Sequence, residues 1–204
     1  MINQEKSRAE GDLLRKMKDL QGRLDVPFPL PATASKLYQE LLRVLLGAIR
    51  ATVLLTPEHY VRKLLRLESS QDSSKVFELG GTHGIFGGPK DNKRHTIEDI
   101  RHAERLVRDD GAVIHFTITV KEQPDGLELI AYDFELYFPS KEPISFVRFD
   151  LNPRRHRNDA ERAMRSHLHP SHDNLQVPSA MLSPTEALSL LLYGLRIERD
   201  APRG

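Results

Sequence analysis

The stretch AVIHFTITVKEQPDGLELIAYDFELYF, residues 112–138, decides the fold because apolar and polar side chains alternate along both of its halves. Successive side chains of a β-strand point to opposite faces, so the alternation predicts one half-buried strand over residues 112–122 and another over residues 127–138. Pro124-Asp125-Gly126 between them is typical of a tight turn. The stretch therefore predicts an antiparallel hairpin with one apolar and one polar face.

A third strand is predicted over residues 144–151, after a turn at residues 139–143. Together with the hairpin it makes a three-stranded antiparallel meander, whose apolar faces need helices as cover. The opposite faces gather charged and titratable residues: His115, Asp133, Glu135, Arg148 and Asp150. The simplest interpretation of that group is a solvated sheet face with cross-strand ion pairs.

Helices are predicted on the N-terminal side of the meander. Residues 12–24 carry a narrow apolar stripe at helical spacing, and residues 35–55 carry a broad apolar face that is suited to burial. Thr56-Pro57 is typical of the start of a further helix that ends near residue 67. Prolines at positions 27, 29 and 31 predict an extended spacer after the first helix. Residues 1–67 are therefore predicted to form a helical arm and core helices.

The polar run at residues 68–74 is the predicted boundary to a second unit, an α+β domain over residues 75–198. The glycine-rich residues 80–88 lack the spacing of phosphate-binding loops, which favours an ordinary turn. Helices are also predicted over residues 96–108 and, from the capping signature Ser183-Pro184-Thr185-Glu186, through residue 195. The predicted fold class is α+β, with N-terminal helices followed by a three-stranded antiparallel meander flanked by helices.

Composition limits the kinds of function that are open to the chain. Its 204 residues include no cysteine, which excludes disulfides, thiolate metal sites and thiol nucleophiles. The formal net charge of +1 argues against a global electrostatic attraction to nucleic acid. Residues 1–10 are polar, unlike a secretory signal, and the longest apolar stretch, residues 44–55, is shorter than a membrane helix. A cytoplasmic protein without membrane association is expected.

The strongest chemical signal follows the meander. Residues 152–165 are rich in arginine, and guanidinium groups bind phosphate in a bidentate manner. The residues predicted to bind nucleic acid are Arg154, Arg155, Arg157 and Arg165. The segment HLHPSH, residues 167–172, comes next and is the densest titratable cluster of the chain.

One interpretation of this cluster is acid–base chemistry without a cofactor. Imidazole donates and accepts protons near neutral pH, so His167 and His169 could serve as acid and base in cleaving an RNA phosphodiester through its 2′-hydroxyl. Asp150 would orient a histidine, and Arg148 would hold the phosphate together with the arginines that follow. The predicted catalytic residues are thus His167, His169, Asp150 and Arg148.

Two alternatives to that chemistry remain open. The spacing H-x-H-x-x-H resembles the first ligands of the metallo-β-lactamase signature, with Ser171 where that family has an aspartate. It would make the chain a metal-dependent hydrolase in which His167, His169 and His172 bind a divalent metal such as zinc. The other alternative is a polar loop whose histidines cap helices and bond the backbone.

The C-terminal part of the chain, residues 126–195, resembles the TumE-like toxins of bacterial toxin–antitoxin systems. The resemblance is carried by an aromatic hairpin, Arg148-Phe149-Asp150, Asn152-Pro153 and the histidines at positions 167 and 169. It implies a small cytoplasmic protein of a toxin–antitoxin or defence locus that acts on RNA or is held by a partner. The sequence departs from that family at Phe149, which replaces a tyrosine, and in its additional helix-prone residues 159–166 and N-terminal helices.

A non-catalytic function is the second hypothesis. The helical residues 12–67 would dock a partner chain or a second copy of the protein, while the sheet serves as a scaffold. The feature that favours it is the apolar stripe of the first predicted helix, which must pack against something. That stripe consists of Leu13, Met17, Leu20 and Leu24.

Overall fold

The computed structural model describes residues 11, 15–70, 73–80, 105–139 and 142–197. Its helices in these ranges are α1 (15–24), α2 (Ala34–Arg50), α3 (Glu58–Leu64), α4 (Arg157–Arg162) and α5 (Pro184–Ser189), which a π-helical turn, Leu190–Gly194, extends. Its strands are β1 (Arg66–Ser70), β2 (Ser73–Gly80), β3 (Leu106–Val107), β4 (Val113–Gln123), β5 (Gly126–Tyr137), β6 (Phe146–Leu151), β7 (Ser166–Pro170) and β8 (Val177–Pro178).

All the described strands join one antiparallel sheet in the order β1-β2-β4-β5-β6-β7-β8, and β3 pairs separately with β4. The α+β class is therefore confirmed, but the prediction of a three-stranded meander is wrong. The predicted strands correspond to β4, β5 and β6, which are the centre of an eight-stranded sheet. The prediction omitted the outer strands because they are short or polar, so their residues show little alternation of apolar and polar side chains.

Three predicted segments account for the additional strands. The polar run at residues 68–74 was predicted to end the helical unit, yet its described residues belong to β1 and β2, which pair with each other in antiparallel orientation. The helix predicted over residues 96–108 lies outside the described residues up to position 104, and at its end Leu106–Val107 pairs with β4 instead. Residues 167–170 of the histidine segment, for which a loop was the alternative, belong to β7. The glycine-rich residues 81–88 also lie outside the described residues.

Helix α2 covers the apolar face of the sheet. Thr33 caps its N-terminus, where the Thr33 hydroxyl accepts a hydrogen bond from the Lys36 amide. The helix ends at Arg50 rather than at residue 55, because the chain reverses after it with Thr52 at a φ of 57° and Leu54 then bridges to Arg108. Its buried residues are Ala34, Leu37, Leu41, Leu42, Leu45 and Ala48.

The core lies between this helix, α5 and the central strands. Phe116 and Phe134 stack at its centre with ring centroids 5.3 Å apart, as their directly opposed positions in β4 and β5 require. The start of α5 is as predicted, since Ser183 and Glu186 form a capping box. None of the described helices combines the length and the apolar character that crossing a membrane requires.

A fully buried guanidinium ties the β3 region to the C-terminal helix. Arg108 donates from Nε and Nη2 to the two carboxylate oxygens of Asp110. Its Nη1 donates to the main-chain oxygen of Leu191 at 2.6 Å, inside the π-helical turn. Because that turn leaves the regular helical hydrogen-bond pattern, the guanidinium satisfies a carbonyl at a point where the helix itself is distorted.

Candidate functional site

Cross-strand register gathers the polar residues of the sheet into two rows. In one row His115 lies opposite Glu135, which lies opposite Arg148, which lies opposite His169. The second row consists of Thr117, Asp133, Asp150 and His167. Directly opposed side chains in antiparallel strands are close enough to interact. The rows therefore place titratable groups from β4, β5, β6 and β7 side by side on the face opposite the core.

Asp150 is the centre of this face. Its Oδ2 lies 3.4 Å from Nε2 of His167 and 3.1 Å from Nε2 of His169. Nε of Arg148 donates to both Asp150 oxygens, at 3.0 and 3.1 Å. The two imidazole side chains are only 1% and 2% exposed, whereas the carboxylate side chain is 17% exposed. Two buried histidines thus contact a carboxylate that is partly exposed to solvent.

The protonation of this centre follows from its contacts. Burial on its own would raise the pKa of Asp150, but the contacts with His167, His169 and Arg148 hold that pKa well below its usual range. Burial likewise lowers the pKa of Arg148, and the carboxylates of Asp150, Glu135 and Asp173 outweigh it and raise that pKa. Asp150 and Arg148 are therefore an ionised pair across the physiological pH range.

Arg148 also reaches the neighbouring strand and the loop after β7. Its Nη1 lies 3.5 Å from Glu135 Oε1 and 3.0 Å from Asp173 Oδ1. The guanidinium is therefore shared by three carboxylates. Among the described side chains of this face, acidic groups outnumber the fixed positive charge, so the face attracts cations more readily than a bare phosphate.

The remaining groups of the face lie around Glu135. The Tyr137 hydroxyl donates to Glu135 Oε2 at 2.9 Å, and Nδ1 of His115 lies 3.5 Å from the same oxygen. Thr117 Oγ1 donates to Asp133 Oδ2 at 2.6 Å. Desolvation and the charge of Glu135 raise the pKa of Asp133 to about 6. Asp133 therefore exchanges its proton closer to neutral pH than an ordinary aspartate does.

Asp133→Asn is expected to change how stability depends on pH. A raised carboxyl pKa means that the folded state binds the proton more tightly than the unfolded chain, so the wild type loses stability as pH rises from about 4 to about 6. The variant lacks this loss. Because the side chain is 40% exposed, solvent screening limits the effect to roughly 0.5–1 kcal/mol. Urea unfolding at pH 4.5 and 7.5 measures it.

Asp125→Asn in the exposed β4–β5 turn is the control, since that carboxylate lies outside the polar rows. The control variant should differ from the wild type by the same amount at both pH values. If the free energy of unfolding of Asp133→Asn also differed from that of the wild type by the same amount at both pH values, the raised pKa of Asp133 would be contradicted.

The two histidines and Asp150 have the arrangement of metal ligands. One ligand atom from each of the three residues lies within 4.8 Å of the others. Zinc–nitrogen and zinc–oxygen bonds of about 2.0–2.2 Å in tetrahedral geometry require ligand separations of about 3.3–3.6 Å. The distance from Asp150 Oδ2 to His167 Nε2, 3.4 Å, lies in this range, and the distance to His169 Nε2, 3.1 Å, is slightly shorter. Two histidines and one carboxylate are a common ligand set of zinc and non-haem iron.

The orientation of His169 strengthens this interpretation. Its Nε2 lies 3.1 Å from the carboxylate, yet it is not aligned with that oxygen as a hydrogen-bond donor. Within the described part of the chain, both nitrogens of His169 and Nδ1 of His167 are buried without a hydrogen-bond partner. Groups that bind one ion point at a common third position rather than at each other. A bound cation would therefore satisfy a nitrogen that the protein leaves unsatisfied.

The structure brings together part of the predicted site. The four predicted catalytic residues, His167, His169, Asp150 and Arg148, form one contact group. His172, the third histidine of the metal alternative, is exposed and accepts a hydrogen bond at Nδ1 from the Asn174 amide. The residue that lies with His167 and His169 in a group that could hold a metal ion is Asp150.

The predicted nucleic-acid residues do not gather on the polar face. Arg157 pairs with Glu161 on α4, and Arg155 is exposed on the preceding turn. Arg154 and Arg165 line a groove beside α1. The sequence interpretation missed Tyr137 and the contact of Asp173 with Arg148. Tyr137 could have been found, because it continues the alternation of Asp133 and Glu135 along β5, whereas Asp173 lies in a loop without periodicity.

Comparisons with known proteins found no match to this chain. Nothing among them bears on the resemblance to TumE-like toxins, which stays a prediction. The chain matches no protein-family model, no curated protein and no solved structure, so its candidate site is supported by its own geometry alone.

Proposed function

We propose that the protein is a divalent-metal-dependent hydrolase whose ion is bound by Asp150, His167 and His169. The observation that carries the proposal is the convergence of two buried imidazoles on one carboxylate without a hydrogen bond from His169. A structural ion pair would align donor and acceptor, because an unsatisfied buried nitrogen costs roughly 1–3 kcal/mol. The ligands of one metal ion, by contrast, must all point at the position of that ion.

The ligand set also indicates the kind of ion and the kind of chemistry. Histidine nitrogen with one carboxylate oxygen suits zinc, iron(II) or manganese better than calcium or magnesium. Three protein ligands would leave coordination positions open, and a divalent ion held there would supply Lewis-acid chemistry and lower the pKa of water. Hydrolysis is the reaction class that this arrangement supports.

Residues beside the ligands would assist the reaction. Arg148 bonds both oxygens of Asp150 and so fixes the orientation of that carboxylate toward the histidines. Asp133 lies directly opposite Asp150 in the sheet, and with a pKa of about 6 it is suited to accept a proton near neutral pH. Arg148 and Asp133 would thus lie beside the ion and would not be its ligands.

Two features favour metal-dependent chemistry over the metal-free RNA cleavage that the sequence suggests. His167 and His169 are almost fully buried, which leaves little access for an RNA 2′-hydroxyl. Arg148 is already shared by three carboxylates, so its charge is not free to hold a phosphate. Acid–base cleavage of RNA and a non-catalytic scaffold function stay predictions, and the response to a chelator separates the three.

The test compares His169→Ala with His172→Ala. Both changes remove one histidine from the same segment, but only His169 belongs to the ligand group. Calorimetric titration with zinc and with manganese should show one ion per chain for the wild type and for His172→Ala, and at least tenfold weaker binding for His169→Ala. Hydrolysis of chromogenic phosphodiester and carboxyl-ester substrates should stop in chelator and return when the ion is restored.

Equal ion binding by the two histidine variants would refute the assigned ligands. Hydrolysis that persists in chelator would exclude the metal-dependent reaction and favour acid–base cleavage. The absence of any ion binding by the wild type would leave the cluster as a buried ion-pair network.

A further inference from the structure

The segment between β7 and β8, residues 171–176, forms a connection beside the candidate ligands that we call the strap. It begins two residues after His169 and ends where Val177 pairs with Leu168 of β7. Residues 172–175 are all exposed, and the apolar side chain of Leu175 is 52% exposed. The middle of the strap therefore packs little against the rest of the fold.

Hydrogen bonds hold the two ends of the strap. The Ser171 amide and hydroxyl both donate to the main-chain oxygen of Phe146, at 2.8 and 3.1 Å. At the other end, Arg162 Nη1 donates to Gln176 Oε1 at 3.1 Å. Ser171 has a φ of 62°, in the left-handed region that residues with a side chain rarely adopt and that occurs at ligand clamps and switch segments. The exposed part of the strap thus starts at an anchored residue with a strained backbone.

One ion pair connects the exposed part of the strap to the polar face. Asp173 Oδ1 lies 3.0 Å from Arg148 Nη1. Among the described residues, this is the only hydrogen bond or ion pair by which residues 172–175 reach beyond the strap, since their other hydrogen bonds stay within it. Asp173 is 68% exposed, so the pair is open to water and contributes little stability. We call this pair the latch.

The latch lies directly beside the candidate ligands. Arg148 is opposite His169 in the pairing of β6 with β7, and its Nε donates to both oxygens of Asp150. The side chains of His167 and His169 are only 1% and 2% exposed. A hydrated ion or another solute cannot reach these imidazoles unless a neighbouring segment moves. The strap is such a neighbour, and a segment with exposed residues and few contacts opens at low cost in free energy.

We propose that the strap opens and closes beside His167 and His169, and that the Asp173–Arg148 latch holds it closed. Opening would break one exposed ion pair and would leave both anchored ends in place, so that β7 and β8 stay paired. The closed strap shields the imidazoles, and the open strap admits solutes to them. As a control of ion access, this inference rests on the proposed function, but the shielding itself does not require a metal.

The first test measures how fast diethyl pyrocarbonate modifies each histidine of the full chain in chelator, with peptide mass spectrometry as the readout. Asp173→Asn should raise the rate at His169 about three- to fivefold, the change that loss of an exposed ion pair allows. His59 on α3 is exposed and should keep its high rate. His115, which is buried on the same face but outside the strap, should keep its low rate.

Glu161→Gln is the matched control for Asp173→Asn. It removes an exposed carboxylate from a pair with Arg157 on α4, at 2.9 Å, and should change the rate at His169 by less than about 1.5-fold. Salt provides a second control, because screening weakens an exposed ion pair. Sodium chloride at about 1 M should speed modification of His169 in the wild type and should leave the rate in Asp173→Asn unchanged.

Equal rates at His169 in the wild type and in Asp173→Asn would overturn the proposal. An equal rise at His115 would do so as well, because it would indicate a general loosening of the face. An increase at His169 in Glu161→Gln as large as that in Asp173→Asn would show that loss of any nearby carboxylate, rather than of the latch, exposes the histidine.

Stopped-flow measurements with zinc keep this result separate from the proposed hydrolase. Asp173→Asn should take up and release zinc about three- to fivefold faster than the wild type, while its Kd stays within about tenfold. Faster modification of His169 in a protein that binds no zinc would support the strap and reject the proposed metal centre. Zinc uptake and release at unchanged rates would reject the strap and leave the metal centre in place.

Discussion

Asp150→Asn is expected to weaken binding of a divalent ion by more than about 100-fold, a larger loss than removal of an outer-sphere partner causes. The change removes the proposed ligand oxygen and the negative charge that offsets Arg148 and would offset the ion. It should also lower the free energy of unfolding by about 1–3 kcal/mol at neutral pH, because His167, His169 and Arg148 all contact this carboxylate. Calorimetric titration and urea unfolding measure the two effects.

The pH dependence of the stability loss has a defined sign. A depressed pKa stabilises the folded state above the ordinary pKa of an aspartate, and that stabilisation is lost as pH falls toward the lower folded value. The difference between wild type and Asp150→Asn should therefore be largest above about pH 5 and should shrink in more acidic solution.

Asp173→Asn is the matched control for Asp150→Asn. Asp173 also contacts Arg148, at 3.0 Å, but its side chain is 68% exposed and it does not belong to the ligand group. The control should bind the ion within about tenfold of the wild type. Equal loss of ion binding in both variants would mean that general negative charge, rather than ligation by Asp150, attracts the ion.

Arg108→Ala is expected to lower the free energy of unfolding by about 3–5 kcal/mol, which corresponds to a fall in Tm of roughly 10 °C for a domain of this size. The guanidinium is fully buried, and its removal leaves Asp110 without its ion-pair partner and the Leu191 carbonyl without the hydrogen bond from Arg108. Thermal and urea unfolding followed by circular dichroism measure the loss.

Arg196→Ala provides the comparison for Arg108→Ala. Arg196 also pairs with an aspartate, Asp109, at 2.9 Å, but both side chains are 38% exposed. An exposed pair contributes about 0–1 kcal/mol, so this variant should remain close to the wild type. If both variants lost a similar amount of unfolding free energy, burial would not be the reason why Arg108 stabilises the fold.

The centre of the fold could be predicted from sequence because its signal is local. Residues 112–138 alternate over two long strands, and the capping residues of α5 are contiguous. The outer strands depend on distant partners instead. Leu106–Val107 is too short to show a period, and it becomes a strand because β4 offers free hydrogen-bonding groups beside it. β7 has the sequence SHLHP, and its single aliphatic side chain, Leu168, is too little to show an alternation of apolar and polar residues.

The candidate site was predictable in part for the same reason. Alternation placed Arg148 and Asp150 on the polar face, and the density of histidines pointed to His167 and His169. The choice between Asp150 and His172 as third ligand could not follow from spacing, because it depends on the pairing of β6 with β7. In that register His167 lies opposite Asp150, while His172 is beyond the end of the strand.

The pairing of β7 with β6 also determines when the site can exist during folding. Asp150 and the histidines belong to different strands, and a slip of β7 by a single residue would turn both imidazoles toward the core and Leu168 toward the polar face. Formation of the proposed ligand group would therefore require correct closure of the sheet. A newly made chain would gain this group only after the sheet is in register, and a misregistered chain would lack it.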